Sequence, residues 1–146
     1  MKLVKEISAR SECPISYTLD FLGDKWTLLI LRDMIFEGKS SYSEFLQSDE
    51  KIATNILADR LISLAENGFI TKAVMPENKS KFVYNLTEKA IGVLPMLIEM
   101  LLWGSKVSPG GKNKELLKVL KSDKEKTIKG LAKILKKRIN HSEVIG

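Results

Sequence analysis

The side chains best suited to contact a binding partner are short ones on one side of a predicted helix that begins near Ile52. They occupy the exposed side or the N-terminal end of that helix: Thr54, Asn55, Ala58, Asp59 and Ser63. Polar side chains of this kind form hydrogen bonds with base edges in the major groove of DNA, and an amide can donate to and accept from adenine together. Asn55 is therefore either a base-reading residue or only a solvated helix residue.

Basic side chains nearby suit contacts with phosphate groups. Arg60 lies about 60° from the buried side of the helix on a period of 3.6 residues, so it is placed to reach a phosphate or to pair with a neighbouring carboxylate. Lys79 and Lys81 flank a predicted hairpin tip, where lysines either hold phosphates or serve solubility alone. Ser41 and Lys51, around the preceding turn, are further candidates for contacts with the DNA backbone.

The elements that position these residues are a helix and a two-stranded hairpin between Ile52 and Leu86. The buried stripe of the helix has leucines at helical spacing: Leu57, Leu61 and Leu64. Asn67-Gly68 is a strong helix stop. Two β-rich segments, residues 69–75 and 80–86, then flank a turn at 76–79, which predicts a hairpin.

Earlier segments predict three more helices. Pro14 suits the first turn of a helix that Gly23 ends, and Asp24 caps a second, strongly apolar helix that stops at Gly38. The segment Ser41–Glu44 fits a capping box for a short third helix. Two short helices joined by a tight turn, the second followed by a hairpin, indicate a winged helix-turn-helix, a mainly α fold with a small β-hairpin.

A long apolar helix is predicted after the hairpin. Thr87 caps it, it runs from Glu88 to about Lys106, and Pro95 should kink it. Its apolar surface exceeds what a small domain covers easily, so it forms either a dimer interface or a core within the protomer.

Three regions are predicted along the chain. They are an N-terminal arm at 1–12, a winged-helix DNA-binding and dimerisation domain at 13–107, and a basic amphipathic helical extension at 108–146. The net charge of +6 is unevenly placed, since residues 1–105 hold 12 basic and 14 acidic residues, whereas 106–146 hold 12 and 4. The extension is therefore a candidate for binding DNA beside an operator, for binding acidic lipid, or for neither.

Several classes of function lack support in the sequence. The single cysteine cannot close an internal disulfide, and the single histidine, His141, has no ligand cluster around it, so no metal site is expected. There is no Ser/His/Asp set or phosphate-cradling glycine loop, which predicts no enzyme and no cofactor. No apolar run approaches the roughly 20 residues that span a bilayer, and no signal peptide is evident, which predicts a cytoplasmic protein without a membrane partner.

A series of short motifs resembles the HxlR-type winged-helix transcription regulators, which are related to MarR-like regulators. The matching residues lie between Cys13 and Gly104: Cys13-Pro14, Leu19-Asp20, Gly23 to Arg32, Leu57, Arg60, Leu61, Leu64, Gly68, Tyr84, Leu86 to Glu88, Leu94-Pro95 and Trp103-Gly104. The resemblance implies a dimeric winged-helix fold that binds double-stranded operator DNA. It also implies dimerisation through the first and last helices: Ile15, Leu19, Leu97, Met100, Leu101 and Trp103.

Three positions depart from the family pattern. Ala53 stands where a serine usually precedes the recognition helix, so a cap and a phosphate contact are lost unless Thr54 or Asn55 replaces them. Asp24 and Ala90 stand where the family usually has glycine. Residues 105–146 lie largely outside the resemblance.

Cys13 has two interpretations. A thiol at the start of a helix is exposed to the positive end of the helix dipole, which favours reactive thiolate, and the resemblance implies a sensor of oxidants or electrophiles. Alternatively, Cys13 is a small apolar residue at the dimer interface. The large apolar side chains have two interpretations as well. Either they pack in the core, which needs no ligand to explain it, or they line a pocket for a small-molecule signal: Trp26, Trp103 and nearby methionines.

The predicted function is that of a homodimeric, sequence-specific regulator on a roughly palindromic operator, acting as repressor or activator. The alternative is a winged-helix module for protein interaction without sequence-specific DNA binding, which the net charge of −2 in residues 1–105 mildly favours.

Overall fold

The structure, a computed structural model, describes residues 11–108 and 110–145. Within these residues the helices are α1 Pro14–Leu22, α2 Lys25–Glu37, α3 Tyr42–Leu46, α4 Thr54–Glu66, α5 Glu88–Ile91, α6 Leu94–Val107, α7 Lys114–Ser122 and α8 Lys124–Ile145. The strands are β1 Ile70–Val74 and β2 Phe82–Leu86, paired as one hairpin. The predicted N-terminal arm lies outside the described residues apart from Ser11 and Glu12.

The ends of the first helices are set by the residues predicted to set them. The Asp24 carboxylate accepts a hydrogen bond from the Thr27 amide at 3.0 Å, which caps α2. Gly38 ends the same helix in the left-handed conformation, with φ 66°, which glycine adopts without steric cost. The capping box at the start of α3 is also present, so these local predictions are confirmed.

The first compact unit ends at Asn85 and contains a winged helix-turn-helix. In it α4 packs against α2, α3 and β1. Side chains from α2, α3 and α4 are almost fully buried: Leu31, Phe45, Leu57 and Leu64. The Tyr84 amide donates to the Ser40 carbonyl at 2.8 Å, which ties β2 to the segment before α3. The predicted fold class is confirmed.

The long helix predicted after the hairpin is instead two helices, α5 and α6. Gly92 and Val93 between them keep right-handed helical dihedrals, but the Val93 amide donates to the Ala90 carbonyl only three residues back, and Pro95 lies in the first turn of α6. There the missing N–H of proline removes no helical hydrogen bond. The single helix predicted from Glu88 to about Lys106 is therefore interrupted just before Pro95.

The second compact unit begins at Leu86 and contains α5 to α8. The basic amphipathic helices predicted in the extension are α7 and α8, and α8 packs against α5, α6 and α7. The compact units thus divide the chain at a different place from the predicted boundary near 107–108, because the apolar side of α8 is used against helices before that boundary.

The stretch Glu88–Val107, which covers α5 and α6, is 20 residues long and apolar enough to cross a membrane by length and composition. The expectation that no apolar run approaches this length was therefore wrong. Core helices of soluble proteins pass the same test, and 33% of the most apolar 18-residue window is buried here, including Leu94 and Ile98.

Candidate nucleic-acid interface

Helix α4 presents an exposed surface on the side opposite its buried leucines. Four of the five predicted residues are exposed: Thr54, Asn55, Ala58 and Asp59. Leu57 and Leu64 on the other side are buried, and Ser63 is half-buried between the two sides. The packing of α4 on α2 and β1 therefore leaves one side of the helix facing outward.

Ile62 lies on this outward side and was not among the predicted site residues. Its side chain is 58% exposed, and on a period of 3.6 residues it falls between Asn55 and Ala58. An exposed branched side chain in this position can contact the methyl group of thymine in the major groove. The available signal was an isoleucine that interrupts an otherwise polar helix side.

The start of α4 has no side-chain cap. Ala53 occupies the N-cap position in an extended conformation, and no side chain bonds to the free amides of the first turn. Neither Thr54 nor Asn55 replaces the missing serine. The Tyr42 hydroxyl donates to the Thr54 carbonyl at 3.0 Å, which fixes α3 against the start of α4. Uncapped amides at a helix N-terminus are suited to an anion such as a phosphate.

The turn between α3 and α4 is held from behind by α2. The Arg32 guanidinium donates to both carboxylate oxygens of Glu50, at 2.7 and 2.8 Å. Lys51, the next residue, has a φ of 54°, and its amide donates to the Ser48 carbonyl at 3.0 Å. This tight turn leaves the Lys51 side chain exposed.

The charges behind the turn form a network. The hydrogen bonds from Arg32 hold the pKa of Glu50 at about 2, despite partial burial. Asp33 accepts from Arg32 at 2.7 Å and lies 3.5 Å from the Lys39 ammonium, yet its burial raises the pKa of its carboxyl. The residues of this network were not predicted as part of the site, although Arg32 belongs to the matching motifs.

Arg60 pairs with carboxylates on two elements. Its Nε donates to Asp24 at 2.8 Å, and another guanidinium nitrogen donates to Asp59 at 2.7 Å. The hydrogen bond from Arg60 is the main cause that lowers the pKa of Asp24. Of the two possibilities open from the sequence, carboxylate pairing is the one present in the structure, and a phosphate contact by Arg60 stays a prediction.

The Ser41 side chain caps the N-terminus of α3. Its hydroxyl donates to the Glu44 carboxylate at 2.9 Å and accepts from the Glu44 amide at 3.3 Å. The hydrogen bond from the Ser41 hydroxyl is the main cause that lowers the pKa of Glu44, and the amides of Ser40 and Ser41 lower it further. A backbone contact to DNA from Ser41 therefore competes with its capping role.

The hairpin tip, here called the wing, carries Lys79 and Lys81 in exposed positions. Asn78 organises it, since its side-chain oxygen accepts from the Ser80 hydroxyl at 2.6 Å and from the Ser80 amide at 3.1 Å. Lys72 on β1 instead lies over the Phe82 ring, with its ammonium 4.0 Å from the ring centre. The wing thus presents two cations from a defined turn.

Cys13 is exposed and precedes the first residue of α1. Its amide donates to the Ser11 hydroxyl at 3.0 Å, and its carbonyl accepts from the Tyr17 amide at 3.0 Å. The thiol is therefore accessible in the protomer. Among the described residues, no group of three or more His, Cys, Asp and Glu side chains is placed to hold a metal ion.

The predicted dimer residues differ in exposure. Four of them are exposed: Ile15, Leu19, Met100 and Trp103. Trp103 is 70% exposed, an unusual state for a side chain of this size. Leu101 is half-buried and Leu97 is buried, so Leu97 has little surface to offer to a partner.

Comparison with protein families gives one match that covers most of the chain. A model described as HxlR-like helix-turn-helix matches residues 21–111. MalR of Fusobacterium mortiferum is 36% identical over 93 residues, which are 64% of this chain and 88% of MalR. The HTH-type transcriptional regulator YodB of Bacillus subtilis is 29% identical over 100 residues, which are 68% of this chain and 88% of YodB.

Solved structures agree with this result. The redox regulator HypR in its oxidised form superposes with a TM-score of 0.58 at 29% identity, over 67% of this chain and 100% of HypR.

Proposed function

This chain belongs to the HxlR-like helix-turn-helix family of transcriptional regulators, and we propose that it acts as a cytoplasmic homodimer on a roughly palindromic operator. The observation that carries this proposal is the outward side of α4, on which Asn55 and Asp59 are exposed while the opposite side of the helix packs on α2 and β1. Each protomer places one α4 in a half-site, with centres about 34 Å apart.

In this proposal, α4 recognises the bases, whereas the wing and the turn before α4 bind the phosphates. Asn55 forms paired hydrogen bonds with adenine, Asp59 accepts from a base amino group, and Thr54 and Ser63 support them at the edges of the contact. Ile62 adds an apolar contact with thymine. Lys79 and Lys81 on the wing, with Lys51 at the turn, hold phosphates without reading sequence.

The dimer forms through the exposed apolar residues of α1 and α6. Ile15 and Leu19 are one turn apart on α1, and Met100, Trp103 and Val107 recur on one side of α6. Exposed apolar stripes of this kind are typical of protein interfaces. Two symmetric copies present two α4 helices, as a palindromic operator requires.

Selection of bound sequences from a random pool of duplex DNA, with measurement of the mass in solution, tests this proposal. We expect enrichment of one motif with two inverted halves, and a mass of twice 16.4 kDa. A monomer that enriches no sequence would overturn the proposal and would favour a protein-interaction module.

Cys13 makes the regulator responsive to oxidants in this proposal. Its exposure supports this role, as do the relatives HypR, described as a redox regulator, and YodB, solved after diamide treatment. Since the chain has one cysteine, a disulfide needs a thiol from a second protomer or from a small thiol.

Mass spectrometry after mild diamide treatment tests the role of Cys13. We expect modification of the thiol together with a change in operator affinity, and neither effect in Cys13→Ser. An unmodified thiol with unchanged affinity would remove the redox response and leave the DNA-binding proposal intact.

A further inference from the structure

Helix α8 carries a basic surface that the winged helix-turn-helix does not account for. Five lysines fall within an arc of about 100° on a period of 3.6 residues: Lys126, Lys129, Lys133, Lys136 and Lys137. All five are exposed, and they lie away from the side that carries the buried Leu135. We name these five residues the α8 lysine face.

These charges lack compensation within the part of the chain that the structure describes. None of the five lysines forms an ion pair there, whereas the neighbouring Lys124 pairs with Glu99. Between Lys126 and Lys137 the sequence contains no acidic residue. Closely spaced like charges repel one another, so an anionic partner would stabilise this surface.

The spacing of the lysines matches a phosphate backbone. From Lys126 to Lys137 the helix rises about 17 Å at about 1.5 Å per residue. Along the duplex axis, each DNA strand carries about one phosphate every 3.4 Å, so several phosphates lie within the length of this lysine face. The flexible ammonium groups can reach more than one of them.

A lipid surface fits α8 less well. Helices that lie on membranes insert a free apolar side into the acyl region. Much of the apolar side of α8 is already used, because α8 packs against α5, α6 and α7 and Leu135 is buried, although Ile134 is 51% exposed. The lysine face therefore has little apolar surface beside it to insert into a bilayer.

We propose that the α8 lysine face binds the phosphate backbone of duplex DNA without reading its sequence. This inference rests on the proposed function, since it adds a second, purely electrostatic contact to a protein whose α4 reads bases. A tethered second contact raises the total affinity by keeping the first one close to the DNA.

The test is a variant in which all five lysines become glutamine, a good helix former. Its affinity is measured by fluorescence anisotropy at several salt concentrations, on the selected operator and on a scrambled duplex. We expect at least about a tenfold loss on both duplexes, with an unchanged ratio between them, and a salt slope smaller by about 0.9 for each lost phosphate contact.

The matched control replaces the same five lysines by arginine, which keeps the charge and should keep both affinity and slope. Circular dichroism confirms that both variants are folded. A glutamine variant with wild-type affinity and slope would overturn the inference, as would a variant that only loses binding to vesicles of phosphatidylglycerol. Failure of the proposed function looks different, since the wild type itself would then show no preference for any operator.

Discussion

Arg60 and Asp59 are adjacent on α4, and their ion pair limits the positive charge that this helix can offer to DNA in the proposed function. Arg60 is also bound by Asp24 at 2.8 Å, so its positive charge is largely neutralised within the protomer. The helix contributes Asp59 and Glu66 against this one arginine. Helix α4 is therefore suited to discriminate between bases and poorly suited to attract phosphates.

The variant Asp59→Asn should bind scrambled duplex more tightly, by about threefold at low salt, because it removes a negative charge that faces the DNA. The operator should gain less, because a carboxylate that accepts from a base amino group is lost. Anisotropy titrations on both duplexes measure the two effects.

Glu66→Gln is the control for this variant, since it removes the same charge at the other end of α4. We expect a smaller gain there, and no change in preference. Unchanged binding of Asp59→Asn to scrambled duplex would contradict the electrostatic account of α4.

For individual residues, the sequence indicated which side chains face outward but not which distant residues they contact. The helical period is local information, so it placed Asn55 and Asp59 on the exposed side correctly. Asp24, the more distant partner of Arg60, is 36 residues away at the N-cap of α2, and only the folded structure brings it close. The same limit applies to Arg32 and Glu50, which are 18 residues apart.

Helix α4 lacks a side-chain cap at its N-terminus, and a substitution can supply one. Ala53 is in an extended conformation with no side-chain cap, and serine fits such a position well. Ala53→Ser should raise the free energy of unfolding by about 1 kcal/mol, measured by urea denaturation.

Ala58→Ser is the matched control, because it adds the same hydroxyl in the middle of α4. There serine should slightly destabilise the helix through its lower propensity. Equal effects of the two substitutions on stability would show that capping is not the cause.

The turn between α3 and α4 should give the protein a distinct sensitivity to acid. The pKa of Glu50 is about 2 in the folded protein and near 4.5 in an unfolded chain, so the folded state favours the carboxylate. Its stabilising effect is complete above pH 4.5 and disappears as the pH falls toward 2. Glu50→Gln should lower the free energy of unfolding by up to about 1 kcal/mol at pH 7, with a difference from wild type that shrinks below pH 4.5 and vanishes only below about pH 2.

Thermal unfolding of both proteins across this pH range measures the effect. Glu77→Gln, which removes the same charge from the exposed wing, is the control and should behave like wild type. A difference between Glu50→Gln and wild type that stays constant with pH would contradict the role of the Arg32–Glu50 pair.

Helices and strands were predictable where their ends are set by local chemistry. Asp24, Gly38 and the Ser41–Glu44 capping box each act within a few residues, so the sequence placed α1 to α4 and the hairpin well. The break between α5 and α6 was missed, because a proline within an apolar run starts a new helix or kinks an existing one depending on tertiary packing.

At the scale of the whole molecule, the proposed function assigns base reading and electrostatic attraction to different parts of the chain. Helix α4 has no excess of positive charge, whereas residues 106–146 hold 12 basic residues and 4 acidic ones. This distribution was visible in the sequence. The packing of α8 on α5 and α6 was not, since helical periodicity shows that a side is apolar without showing which surface covers it.

The most direct test of this account compares Asn55→Ala with the double variant Lys79→Ala, Lys81→Ala on the selected operator and on a scrambled duplex, over a range of salt concentrations. Asn55→Ala should weaken operator binding by about 1–3 kcal/mol and leave scrambled binding unchanged. The double lysine variant should weaken both equally and reduce the salt slope by about 1 for each lysine in each protomer. Equal loss of specificity in the two variants would contradict the division between a reading helix and a holding wing.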